Sequence, residues 1–360
     1  MIARHDPPPG PADPAILLVR LSAIGDIVMA SPLIHALRQR YPQSYIAWLV
    51  QPESAALLQY HPELDEVIVW PRSKWRELWR QKRLVSLLRE IRSFRQALRR
   101  RGFALAIDLQ GLMKSGVLAW LSGAERRIGL GSREASQWLM TEVVPRAGEA
   151  DLIGSEYRFL AERMQLPAET FQMRVGIGAA AEAQAELLRR SLPADSAYAV
   201  ICPFTTRPQK HWFVEHWRDL IARLRSEVGI EVVMLGGPGD VQSAQAIATP
   251  SGVIDLVGQT PLQGAAALIR DSRLVIGVDT GLTHIGIAFD RPTICLFGST
   301  RPYLRSESAQ TRVIYHALEC SPCRRNPTCQ GRFSCLREIT PDEVMAVVRE
   351  LPGVSPVEAK

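Results

Sequence analysis

Three short segments of this 360-residue chain place acids, hydroxyls and cations where an apolar run gives way to a helical pattern. The first, Arg20-Leu-Ser-Ala-Ile-Gly-Asp26, follows Ala15-Ile-Leu-Leu-Val19, and its Gly25 permits a tight turn with Asp26 at the start of a helix. Asp26 there has two readings: a cap on the helix, or a carboxylate able to act as general base. The second, Gly277-Val-Asp279-Thr280-Gly281-Leu-Thr-His284, ends a strand and opens a helix with small and polar residues, as a diphosphate site requires. In the third, Pro203-Phe-Thr205-Thr206-Arg207-Pro-Gln-Lys210-His-Trp, two hydroxyls and a lysine can hold phosphate oxygens and neutralise a leaving diphosphate. A Gly-rich turn, Leu235-Gly-Gly-Pro-Gly-Asp240, is like a nucleotide-binding loop but lacks the dinucleotide fingerprint, which counts against a dehydrogenase.

These segments need a scaffold of strand ends. Apolar runs at 15–19, 45–50, 66–70 and 105–109 alternate with helical patterns, among them a helix with Leu84, Leu87, Leu88, Ile91, Phe94 and Leu98 on one face. The pattern restarts with strands at 198–202, 231–235, 274–278 and 293–297 and helices at 212–227 and 262–270. Strand–helix alternation predicts an α/β fold with parallel sheets covered on both faces. The expected organisation is a Pro-rich disordered tail over 1–14 and two Rossmann-like domains, 15–190 and 191–360, facing a central cleft. The Ala/Glu/Gln-rich stretch 179–190, ending in Ser191-Leu-Pro193, reads as the linker.

Composition narrows the class. With 46% hydrophobic and 22% charged residues the chain is ordinary globular material, not disordered or fibrous. No apolar run reaches the ~18–20 residues that cross a bilayer, and no secretory signal opens the sequence, so a cytoplasmic setting is expected. The net charge of +6 is local: residues 72–101 carry 12 Lys/Arg against Glu77 and Glu90 alone, and the rest of the chain is net acidic. That pattern argues against a general nucleic-acid coat. The segment is either a solvated helix face or an interface. In the second case Arg72, Lys74, Arg76, Arg80, Lys82 and Arg83, with Trp75 and Trp79, meet an anionic lipid surface. Cys320, Cys323, Cys329 and Cys335 fall within 16 residues. Four thiolates suit a tetrahedral structural zinc or iron, although the x5 spacings are unusual for zinc and the cluster could be unliganded. Cys202 and Cys295 lie inside strands and read as core.

Together, Val19-Arg-Leu-Ser-Ala-Ile-Gly-Asp-Ile27, Asp108-Leu-Gln-Gly-Leu-Met-Lys-Ser115, Thr205-Thr206 with Lys210-His-Trp, and Asp279-Thr-Gly-Leu-Thr-His284 resemble glycosyltransferase family 9, the ADP-heptose:lipopolysaccharide heptosyltransferases, in order along the chain. The basic Trp-containing segment looks most like the type that adds the first heptose. The resemblance implies a GT-B fold, an inverting transfer without catalytic metal or other cofactor, ADP-heptose as donor, and Kdo-lipid A as acceptor at the inner face of the inner membrane. It implies Asp26 as the base and Lys210, Thr205 and Thr206 on the diphosphate. Asp279, Thr280, Gly281 and His284 would form the donor loop, with Asp240 near the ribose. A similar cysteine cluster, iron-bound in one branch, occurs among relatives. Other readings are a family member with a different nucleotide sugar or a protein acceptor, and, in another class, a basic nucleic-acid-binding protein.

Overall fold

The computed structural model describes residues 13–190 and 197–354. The expected tail, all but its last two residues, and Ser191–Pro193 lie outside that range. Two parallel six-stranded sheets organise the chain. The first contains β1 (Ile16–Val19), β2 (Ile46–Val50), β3 (Glu66–Val69), β4 (Leu105–Asp108), β5 (Arg126–Leu130) and β6 (Glu142–Val144), in the order β3-β2-β1-β4-β5-β6. The second contains β7 (Tyr198–Cys202), β8 (Glu231–Met234), β9 (Ile254–Asp255), β10 (Leu274–Val278), β11 (Thr293–Phe297) and β12 (Thr311–Tyr315), in the order β12-β11-β10-β7-β8-β9. Each is the 3-2-1-4-5-6 arrangement of a Rossmann-type sheet, as expected from the alternation. β1, β2, β7, β10 and β11 are buried throughout, and their near-continuous apolar sequences follow from helices covering both faces.

Residues cluster into two compact units. One takes the described residues up to Ser22, Ala30–Gly148 and Glu156–Gln172; the other takes Ala23–Met29, Glu149–Ser155 and Met173 onward. The stretch 179–190, read as a linker, is the helix Ala179–Arg190 and belongs to the second unit. It buries Ala181 and Ala185 and pairs Glu182 with Arg270, while Gln263 accepts from the Gly178 N–H just before it. Its Ala content reflects close packing against the helix Leu262–Asp271, not flexibility. The Asp26 segment, early in the sequence, groups with the second unit because Ile24 and Gly25 pack on the helix Gly281–Ala288. Met29 and Ile153 join a small core around Ile287, Phe297 and Tyr303. Leu152 also bridges Arg305 in parallel register.

The amphipathic pattern over 84–99 forms the expected helix, Leu84–Arg99, but its apolar face is buried unevenly. Leu98 is fully buried and Ile91 and Phe94 pack on the first core, whereas Leu84 and Leu88 are 51% and 53% exposed.

Candidate functional site

In a doubly wound sheet, ligands collect at the switch point where strand order reverses. In the second sheet that point lies between β7 and β10, and the loops leaving both strands meet there. The loop after β7 carries Thr205, Thr206 and Lys210. The loop after β10 carries Asp279 and Thr280, and Thr280 stands at the N-cap of Gly281–Ala288 with its hydroxyl not spent on capping. Lys210 Nζ lies 2.5 Å from Asp279 Oδ2, and Thr205 Oγ1 donates to the Asp279 carbonyl at 3.2 Å. His211 Nε2 pairs with the Thr205 carbonyl at 2.8 Å. Thr205, Thr206, Arg207, Pro208 and His211 line an open concavity of about 410 Å³.

Asp279 gathers more than the lysine. Thr300, in the loop after β11, donates its hydroxyl to Oδ2 at 2.5 Å, and His284 Nε2 stands 3.5 Å from Oδ1. Burial alone would raise this carboxyl, but the His284 hydrogen bond and the Lys210 charge outweigh it and hold the group well below the usual carboxylate range. A carboxylate held ionised at neutral pH thus fixes an ammonium that has further N–H donors to offer an anion. Behind it, His284 Nδ1 is 2.7 Å from the Tyr303 hydroxyl, itself 3.6 Å from Cys295 Sγ. Thr300 and Tyr303 were not anticipated: a threonine and a tyrosine in a loop carry no periodic signal, and only the β11 strand end brings them to Asp279 and His284.

Asp26 is the third residue of the helix Ile24–Ala30, and its Oδ2 accepts from the Ala23 backbone N–H at 3.1 Å, a bond that secures the helix start. The same helix presses on the donor-side loop. A β-carbon on Gly281 would come within 2.4 Å of Ile24 Cγ2, which is why glycine occupies that position. Asp240 stands apart from the Asp279 cluster at the Gly-rich turn, where its Oδ2 accepts from the Gly237 N–H at 2.9 Å.

The basic segment divides. Arg72, Lys74, Arg76, Trp79 and Arg80 project from the helix Arg72–Arg80, and Lys82 and Arg83 follow it in the open. Trp75 does not project. It packs edge-on against Trp70 and Phe94, with ring centroids 6.0 and 5.5 Å apart, because it shares the inward face with buried Leu78. Lys74 pairs with Glu90 and Arg80 with Glu77, each at 2.7 Å. Ser73, Lys74, Arg76, Glu77 and Arg80 line a concavity of about 670 Å³. Lys114, from the Asp108–Ser115 run, belongs to the same cationic environment: burial, then the nearby Arg72, push its ammonium below the ordinary value, with a smaller push from Arg20.

The expected structural metal finds no support. Among the described residues no three His, Cys, Asp or Glu side chains come together as metal ligands. Cys335 is turned into the core beneath Gly298, and burial, with the neighbouring thiols of Cys323, Cys320 and Cys329, pushes its thiol up to about 11. The other three thiols are half-exposed on the loop before it. They are near enough to influence one another. Cys202 and Cys295 are fully buried, as expected of strand residues.

Comparison with known proteins adds a family. The model of glycosyltransferase family 9 (heptosyltransferase) matches residues 91–333. The lipopolysaccharide heptosyltransferase 1 of Escherichia coli (strain K12) is 28% identical over 311 residues, covering 84% of this chain and 93% of that protein. The structure of E. coli heptosyltransferase WaaC with ADP-2-deoxy-2-fluoro heptose superposes with a TM-score of 0.70 at 27% identity, covering 93% of this chain and 99% of the other. A family 9 glycosyltransferase from Veillonella parvula DSM 2008 reaches a TM-score of 0.80 at 19% identity over 94% of this chain and 96% of its own, which speaks for the fold. The two-sheet architecture is therefore of the GT-B type.

Proposed function

The chain belongs to glycosyltransferase family 9, the heptosyltransferases, and on that premise we propose that it transfers heptose from ADP-L-glycero-D-manno-heptose to the Kdo-lipid A inner core of lipopolysaccharide. The observation that carries this reading is the Lys210–Asp279–His284 cluster at the β7/β10 switch point, with the Asp26 helix packed on the same loop. Relatives that carry heptosyltransferase names over most of the chain support the sugar, and the ADP-heptose analogue in the E. coli structure supports the nucleotide.

In the proposed reaction Asp26 takes the proton of the acceptor hydroxyl, and the resulting oxygen attacks the anomeric carbon from the face opposite the diphosphate. The bond from that carbon to the diphosphate oxygen breaks, ADP leaves, and the anomeric configuration inverts. Lys210 and Thr206, with Thr205 once its hydroxyl turns from the Asp279 carbonyl, stabilise charge developing on the leaving diphosphate. Asp279 and His284 hold Lys210 in place, Thr280 and Gly281 offer the opening turn of their helix to the donor, and Asp240 takes the ribose. Side chains alone supply the acid–base and electrostatic work, without a catalytic metal.

The second unit is assigned to the nucleotide sugar and the first to the acceptor. Arg72, Arg76, Arg80, Lys82 and Arg83, with the 67% exposed Trp79, suit a phosphorylated glycolipid in an anionic surface. Crowding of Lys114 with Arg72 and Arg20 is of the kind a bound phosphate would relieve. Among the described residues no helix is long and apolar enough to cross a membrane. On the strength of its family and of the basic segment, the enzyme is proposed to act in the cytoplasm, peripherally on the inner membrane, without a nucleic-acid partner. Incubation with labelled ADP-heptose and Kdo-lipid A tests the reading: label should move to the lipid with release of ADP. Consumption of a UDP-sugar, or of no nucleotide sugar, would reject it.

A further inference from the structure

Tyr303 has no role so far, yet it is fully buried in the second unit and touches two polar side chains. Its ring packs edge-on against Phe297 at 5.1 Å, its hydroxyl lies 2.7 Å from His284 Nδ1 and 3.6 Å from Cys295 Sγ, and the far nitrogen of that imidazole faces Asp279 at 3.5 Å. The four side chains form one line from the core to the Lys210–Asp279 pair.

We propose that Tyr303 is a positioning residue that locks His284 as the neutral Nε2–H tautomer, so that the imidazole donates to Asp279 and the carboxylate holds Lys210 in one orientation toward the diphosphate. The direction of the hydrogen bonds follows from elimination. A proton on Nδ1 alone would turn the Nε2 lone pair toward a carboxylate that stays ionised. A doubly protonated ring would bury a second cation beside a carboxylate already balanced by Lys210 at 2.5 Å. It would also force the Tyr303 proton toward sulfur, a weak acceptor. With Tyr303 donating to Nδ1, each group plays its natural part: Cys295 S–H toward the phenol oxygen, phenol O–H to Nδ1, Nε2–H to Asp279. Burial favours the protonated forms this requires, pushing the Cys295 thiol up to about 12 and the Tyr303 phenol well above its usual value. The inference rests on the proposed donor site only for its kinetic consequence; the tautomer is a property of the free protein.

The test is nitrogen NMR of 15N-histidine-labelled protein, with the His284 signals assigned from His284→Gln. The proposal expects a neutral ring protonated at Nε2 in the wild type, and mixed or altered tautomers in Tyr303→Phe, which keeps the packing against Phe297. Turnover of ADP-heptose by that variant should fall roughly tenfold or more in kcat with a small change in donor KM, the signature of an interaction made in the transition state. A wild-type ring protonated at Nδ1 or at both nitrogens overturns the proposal. So does a Tyr303→Phe variant with unchanged ring signals or unchanged kcat. If the variant does not fold, the wild-type spectrum alone decides. If ADP-heptose is not turned over even by the wild type, the substrate assignment has failed while the ring signals still decide the proposal.

Discussion

Gly25 closes on the imidazole of His284: a β-carbon on Gly25 would sit 2.3 Å from Cδ2 and 3.0 Å from Nε2 of that ring. Two motifs separated by more than half the sequence thus meet at a single contact, and the helix bearing Asp26 is set by the ring that braces Asp279. His284 cannot retreat easily, since Tyr303 holds its other nitrogen. Gly25→Ala should therefore cost about 1–3 kcal/mol of stability through overpacking and reduce turnover. In a His284→Ala background, where the space is vacated, the same substitution should cost only about a few tenths of a kcal/mol, a coupling that a double-mutant cycle on urea unfolding would reveal. Equal costs in both backgrounds would mean that the two residues do not meet.

The Lys210–Asp279 pair predicts a pH dependence. Asp279 has its folded-state pKa depressed, so it contributes stability above the unfolded carboxylate value, about 3.9, and loses it as pH falls toward the lower folded value. Lys210→Met leaves the carboxylate without its cation and should cost about 3 kcal/mol at neutral pH. The difference between variant and wild type should narrow below roughly pH 4, as the unpartnered carboxyl takes up a proton. Denaturant unfolding at neutral pH and in acid measures this, and a difference independent of pH would contradict the pairing.

The exposed cations after Pro71 should act additively on a charged surface. At about 1 kcal/mol per Lys or Arg, replacing Arg76, Lys82 and Arg83 together by glutamine should weaken partitioning onto phosphatidylglycerol vesicles by roughly 100-fold. Binding to neutral phosphatidylcholine should be unaffected. Lys74→Gln alone should matter less, because Glu90 already compensates that charge. Cosedimentation would report both, and equal binding by all variants would reduce the segment to a solvated face.

The cysteines yield a fourth expectation. With Cys335 committed to the core, purified protein should carry zinc and iron well below one equivalent, and a chelator should leave Tm unchanged. Cys335→Ser should still be destabilising, since it buries a hydroxyl where a thiol packs against Gly298, at about 1–3 kcal/mol. Stoichiometric metal in elemental analysis would reverse the conclusion.

Much of the architecture was legible in the sequence because fully buried parallel strands announce themselves as short apolar runs, and β1, β2, β4, β7, β10 and β11 fall within a residue or so of their apolar segments. The short β9, the part-exposed β5 and the edge strands β6 and β12 give weaker runs that no local pattern distinguishes. Lys210, Thr205, Asp279 and His284 could be named from strand-to-helix turns, and the fold brings them together. Thr300 and Tyr303 could not, because their partners are set by which strands neighbour β10, information absent from any local window. Trp75 misled for a related reason: composition made it part of a basic aromatic patch, whereas helical phase put it with Leu78 against Trp70 and Phe94.

The most direct measurement is heptose transfer by Asp26→Asn beside the wild type, with ADP-heptose binding followed in parallel by thermal shift. Asparagine can still accept from the Ala23 N–H, so the helix start survives. If Asp26 is the base, transfer to Kdo-lipid A falls by roughly 100-fold or more while the donor-induced shift is retained. Transfer by the variant at near wild-type rates would contradict the account.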